Sequence, residues 1–142
     1  MKISSERLSA AAYIDFLKRT DLGAQYPKER FEARIEKLVG NASISLVARS
    51  DAGEIIGVCF GITDFAYWLF ITDLGVDREY TGRGVGRALM RAALEAAGGP
   101  DDIIVYTCAN GNAVGFYQKL GMSVADDVMV YNRVQWTEFT VE

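Results

Sequence analysis

The sequence contains no histidine. That absence removes Ser–His–Asp and Cys–His catalysis in their usual forms, together with every histidine-ligated zinc site. Cysteine is scarce too, with only Cys59 and Cys108 present. Two are too few for a disulfide framework or an all-cysteine metal site, so no metal is expected, and lone thiols fit a reducing, cytoplasmic compartment. The only prolines are Pro27 and Pro100, and no linker, repeat or low-complexity tract interrupts the chain. No apolar run approaches the ~18 residues of a membrane span. Lys2 to Glu6 is followed by no apolar stretch long enough for a signal peptide. Positive charge is in deficit, with 15 Lys and Arg against 19 Asp and Glu for a net charge of −4. This argues against nucleic acid or an anionic membrane as the main partner, because both need a basic footprint, and favours a cationic or neutral small one.

What remains is ordinary globular material: 142 residues, 50% hydrophobic and 24% charged. A chain of this size buries roughly two-thirds of its unfolded surface, so one domain spanning 1–142 is expected. Met1 to Ile3 reads as a short strand. Ala10, Tyr13, Ile14 and Leu17 recur at helical spacing within 8–19. Pro27 suits the first turn of a second helix, with Phe31, Ile35, Leu38 and Val39 as its apolar face. Strand signals follow at 43–49 and 55–63, joined by a hairpin loop at 50–53. The nearly continuous apolar run from Phe65 to Val76 has the look of a central strand covered on both faces.

A glycine-rich turn leaves that strand and opens a helix whose apolar positions include Val85, Leu89 and Ala93. Ile103 to Cys108 is a further strand, and Asn110 or Asn112 caps a short helix that Gly121 ends. Met122 to Val141 reads as two final strands. The order βααβββαβαββ is that of a mixed α/β sheet, mostly antiparallel, with helices on both faces.

The turn reads Thr81-Gly82-Arg83-Gly84-Val85-Gly86-Arg87. Converging backbone N–H groups, a helix N-terminus and two arginines make a site for pyrophosphate. The dinucleotide fingerprint fails because Arg87 stands where its third glycine belongs, and the Walker pattern lacks its lysine. On glycine spacing alone, a plain strand-to-helix turn is an equal reading. A second segment, Asn110-Gly111-Asn112-Ala113-Val114-Gly115-Phe116-Tyr117, continues through Leu120-Gly121-Met122.

Together the two segments resemble the signatures of the GNAT superfamily of N-acetyltransferases, in its order and at a family-like separation. The first departs at Thr81, where arginine or glutamine is usual, and the second at Met122, where an aromatic is usual. The resemblance implies acetyl-CoA as co-substrate. Backbone groups of Leu74, Gly75 and Val76 would pair with the pantetheine arm. Thr81 and Gly82 would open the loop, and the amides of Arg83, Gly84, Val85, Gly86 and Arg87 would hold the pyrophosphate. Asn110, with Ala113, Phe116 and Tyr117, would face the coenzyme. Tyr117 would protonate the departing thiolate, work that suits a phenol whose ordinary pKa, near 10, is close to that of a thiol.

The base is less clearly written. Asp73 is the only acidic residue on the strand before the loop, and alternation puts it on the face opposite Leu74 and Val76 unless a bulge rephases it. It is either the base or a local backbone partner. Glu79 is a weaker candidate. A covalent route through Cys108 is conceivable, but with no histidine to activate it an inert buried thiol is the better reading, and Cys59 reads as core. The acceptor pocket is expected from Gly23 to Tyr26, Phe65 to Trp68 and Ala125 to Val128. Tyr26, Tyr67 and Trp68 could offer an amine a cation–π surface, and Asp126 and Asp127 could attract it. Expected is direct acetyl transfer to a small primary amine. A protein or peptide acceptor, or a catalytically silent CoA-binding sensor, stays open. A homodimer through the final strands, using Val134, Trp136 and Phe139, is compatible with the resemblance.

Overall fold

Turn chemistry sets the first part of the sheet. Gly53, at φ 84°, closes the turn from Ser50 and returns the chain as a hairpin. The computed structural model describes residues 1–142. Its strands are β1 (Lys2–Ser5), β2 (Ile44–Arg49), β3 (Ile55–Thr63), β4 (Trp68–Val76) and β5 (Ile104–Thr107). Its helices are α1 (Ala10–Leu17), α2 (Phe31–Asn41), α3 (Val85–Ala97) and α4 (Gly111–Lys119), with 3-10 turns at Asp21–Ala24 and Arg78–Tyr80. The five strands lie in sequence order. Neighbours are antiparallel except β4 and β5, which α3 joins as a parallel crossover. The mixed, mostly antiparallel sheet is as the element order anticipated.

Alternation along β2 sorts the two cores. Ile44, Leu46 and Ala48 pack under α3 with Cys59, Ile71 and Leu89. Val47 points the other way, joining Val58, Phe60, Tyr13, Phe16 and Ile35 beneath α1 and α2. Helices therefore cover both faces.

Two irregularities in β4 place the site. Phe60 pairs with Asp73 and Gly61 with Ile71, so Thr72 is an extra residue, a β-bulge. Ile71 and Leu74 accordingly both face α3, while Asp73 meets Tyr13 of α1. Pairing with β5 stops at Ile71–Thr107, where the Thr107 hydroxyl donates to the Ile71 carbonyl at 3.0 Å. Beyond that point the β5 side of Thr72–Val76 has no strand partner.

Three sequence expectations need correction. The apolar run at 65–76 is not a strand covered on both faces. Asp64 accepts from the amides of Ala66, Tyr67 and Trp68, which holds a turn until β4 starts at Trp68, and Trp68 and Phe70 remain exposed. Pro27 lies outside α2, which starts at Phe31 after Arg30 takes the left-handed conformation, φ 53°. Nor does the segment 122–141 form strands. Met122 is tied to the Tyr117 carbonyl, and Thr137 is bonded to Lys28 and Glu29. Between these two anchors, over 123–136, the tail makes no backbone–backbone hydrogen bond. Phe139 then packs on Phe31, and Val141 is buried.

The end of β4 is clamped to α1. The Asp77 carboxylate is buried, pairs with Arg19 and caps the amide of Glu79. Arg78 reaches Asp21 and the carbonyls of Lys18 and Thr20. Losing one partner of a half-buried pair and a cap costs about 1–3 kcal/mol. Asp77→Ala is therefore expected to lower the melting temperature by roughly 3–10 °C in calorimetry; an unchanged transition would show that this clamp contributes nothing.

Candidate active site

The loop after β4 is built from backbone. Gly82 and Gly84 sit at φ 77° and 82°, and a Cβ at either would touch nothing within 4 Å. Conformation, not crowding, selects glycine there. None of the backbone N–H groups from Thr81 to Arg87 finds an acceptor in the chain. Free amides in the first turn of a helix carry partial positive charge and point away from the helix body. They border a cleft of about 590 Å³, walled by Leu74 and Val76 of β4 and by Ala113, Phe116 and Tyr117 of α4. Gly86 lets α3 and α4 close up, since a Cβ there would stand 3.2 Å from the Phe116 ring. A row of uncommitted amides leading to an apolar slot beside an unpaired strand edge fits a pyrophosphate carrying an extended arm.

The side chains divide differently from expectation. Arg87 borders this cleft, whereas Arg83 lies over the Tyr80 ring at 5.0 Å. The Thr81 hydroxyl donates to the Arg78 carbonyl. Asn110 caps α4 through its side-chain oxygen, accepting from the Ala113 amide at 3.1 Å. Gly75 turns its α-carbon away from the cleft, toward Leu22 and Phe16. Tyr117 borders the cleft, and burial raises its phenol above the ordinary value.

Asp73 is 2% exposed and collects four donors. Tyr26 donates to it, Thr72 lies at 2.7 Å, Gln25 at 3.3 Å and Tyr13 at 3.5 Å. The hydroxyls of Tyr13 and Tyr26 lie 2.8 Å apart, and as each carries one proton, Tyr13 donates either to Tyr26 or to Asp73. Burial raises the Asp73 carboxyl even against these donors, and pushes the Tyr13 and Tyr26 phenols well up. Asp73 and Tyr26 border a second cavity, of about 950 Å³, between α2, the middle of β4 and the residues that follow β5. Adjacent residues of β4 thus serve different cavities, Leu74 one and Asp73 the other.

Gln25 and Tyr26 line this second cavity, with Phe31, Arg34 and Lys37 of α2, Phe70 and Trp136 as further walls, and Asn110, expected to face the coenzyme, lines this cavity and not the cleft beside the loop. The signal available was the helical spacing of Arg34, Lys37 and Asn41. Gly23 is buried against Val141. Tyr67 and Trp68 are exposed elsewhere, and Ala125 and Val128 border a separate groove under β5. Asp126, Asp127 and Glu79 are exposed. Cys108 is not a buried thiol. β5 ends at Thr107, and Cys108 follows it exposed, at the mouth of the second cavity. Cys59 is core, as expected.

The model of the acetyltransferase (GNAT) family matches residues 11–122. The chain is 27% identical to a mycothiol acetyltransferase from Propionibacterium freudenreichii over 140 residues, covering 89% of this chain and 42% of that protein. It spans less than half the length of the curated relatives it matches. Among solved structures, a GNAT acetyltransferase from Streptococcus pneumoniae superposes with TM-score 0.70 at 19% identity, covering 94% of this chain and 98% of that one. A GNAT N-acetyltransferase from Escherichia coli in complex with CoA gives 0.63 at 23% identity, covering 84% and 67%.

The two thiols are expected to differ sharply. Burial pushes Cys59 up to about 12, whereas Cys108 faces solvent. One equivalent should react quickly with dithionitrobenzoate in the native protein and a second only in denaturant. Two fast equivalents would contradict the burial of Cys59.

Proposed function

The chain belongs to the GNAT acetyltransferase family, and we propose that it transfers the acetyl group of acetyl-CoA directly to the primary amine of a small molecule. The observation that carries this reading is the run of uncommitted amides from Thr81 to Arg87 beside the partnerless half of β4. Acetyl-CoA supplies the activated thioester. The loop amides hold its pyrophosphate, with Arg87 adding charge. Leu74 and Val76 take the pantetheine arm as an added strand, and the strand amide near Leu74 polarises the thioester carbonyl.

The acceptor enters from the α2 side. Its nitrogen forms the new C–N bond as the C–S bond breaks. The amine proton passes to Asp73, directly or through the Tyr26 hydroxyl bonded to it, and Tyr117 gives its proton to sulfur. A carboxyl raised by burial suits a base, because it holds a proton more readily than an exposed one. No covalent enzyme intermediate is needed, and Cys108 stays outside the chemistry. Residues 1–142 act as one domain. The exposed thiol fits a reducing, cytoplasmic setting. The final strands expected to pair two copies do not form, Phe139 packs on Phe31 and Trp136 lines the second cavity, so the surfaces a second copy would cover are the open β5 edge and the exposed Val124, Val128, Val130 and Val134.

Three measurements test this reading. Tyr117→Phe is expected to lower kcat about ten- to a hundred-fold in an amine-dependent thiol-release assay, with acetyl-CoA affinity nearly unchanged; wild-type turnover removes that role. Gly84→Glu places a bulky anion among the amides and should abolish acetyl-CoA binding in calorimetry, and retained affinity removes the loop assignment. Asp73 works ionised, so kcat/KM for the amine should fall as pH drops through its raised pKa, above the ordinary ~3.9 of an aspartate. Asp73→Asn should erase that limb. Acetyl-CoA binding without thiol release from any amine would favour the silent sensor.

A further inference from the structure

One buried side-chain polar atom in the chain lacks a hydrogen-bond partner, and it is Nη1 of Arg34. Arg34 lines the cavity that Asp73 also borders, and Lys37, one helical turn on, lines it too. Neither belongs to any of the chain's ion pairs. The carboxylates around them are engaged or turned away. Glu29 lies close enough to feel Arg34, but its two oxygens accept from the amide and hydroxyl of Thr137. Asp73 holds four donors, and Glu32 and Glu36 are exposed on α2. Arg34 is half-buried, with one guanidinium nitrogen shielded and unpaired, and two cations without an acceptor in the chain on the wall of one cavity offer an anion from outside a place to bind.

We propose that this cavity binds amines that also carry an anionic group, a carboxylate or a phosphate, with the anion held on α2 by Arg34 and Lys37 and the amine at Asp73 on β4. The planar guanidinium offers paired N–H donors that match either anion, and Lys37 adds a point charge. Tyr26, Phe31, Phe70 and Trp136 form the apolar part of the wall, where a charge-assisted bond is stronger than in water. A polyamine, favoured by the net charge of −4, meets the wrong sign on α2. The local field, not the total charge, selects the acceptor. The amine half of the assignment rests on the acetyltransferase reading; the anion half does not.

The test compares matched acceptors: 6-aminohexanoate against its amide, and O-phosphoethanolamine against ethanolamine. In the wild type the charged member of at least one pair should show a KM ten-fold or more below its neutral match, and the pair with the larger ratio names the anion. Arg34→Gln should bring that ratio to about one, in line with the loss of a charge-assisted pair. Lys37→Gln, at an exposed position, should reduce it about two- to five-fold. Equal KM values in the wild type, or an unchanged ratio in Arg34→Gln, overturn the proposal. If Arg34→Gln does not fold, Lys37→Gln decides, and an unchanged ratio there overturns it as well. Should no amine release thiol although acetyl-CoA binds, the acetyltransferase reading fails by itself. Calorimetry of 6-aminohexanoate and inorganic phosphate on the CoA-loaded protein then decides the anion site. Binding lost in Arg34→Gln upholds it, and no binding to the wild type refutes it.

Discussion

Everything in this molecule follows from the point where β4 leaves β5. The two strands share four residue pairs and then part at Ile71–Thr107, with the Thr107 hydroxyl closing the last carbonyl. One residue later the Thr72 bulge shifts the phase of β4 against β3. A strand interior normally satisfies both of its edges. Here one edge of Thr72–Val76 is left without a strand, at the residues that lead into the glycine loop. The free edge, the free loop amides and the slot against α4 are therefore consecutive parts of one stretch of backbone. Without the bulge, Ile71 and Asp73 would share a face, and a carboxylate would lie in the α3 core.

The opposite side of β4 solves a different problem. A carboxylate that is 2% exposed would be ruinous alone, and four surrounding donors make it tolerable. Those donors come from α1, from the residues just after the Asp21–Ala24 turn and from β4 itself. The turn that follows this helix is tied to the start of the loop by Arg19 and Asp77. Positioning of Asp73 and of the glycine loop is thus coupled through α1 and the turn that follows it, the helix packing by Tyr13, Phe16 and Leu17.

Most of the fold and the cleft at the glycine loop were legible in the sequence because they depend on local features: period, glycine placement and the Asn110 cap. The opposed placement of Asp73 and Leu74 was readable from alternation, and the bulge left it intact. What escaped was decided by distant partners. Residues 123–136 carry strand-like apolar residues, but whether they pair depends on where Glu29 holds Thr137. Exposure of Cys108 depends on β5 ending one residue early, and Trp68 and Phe70 are open because no helix covers that corner. The α2 wall of the second cavity, Arg34 and Lys37, gave only a polar stripe that any solvated helix face would share. Its meaning came from the cavity it borders.

One half of the site is written in main chain and the other in side chains. Substitution at Thr81 or Arg83 changes what projects from the loop but not where its N–H groups aim, so long as Gly82 and Gly84 keep their left-handed turns. The second cavity has no such protection, since each of its walls is a replaceable side chain. A chain built this way can change what the second cavity accepts by a few exchanges along α2 while the amide row stays as it was. Diversity on one side and constancy on the other are then properties of the materials, with no separate safeguard required.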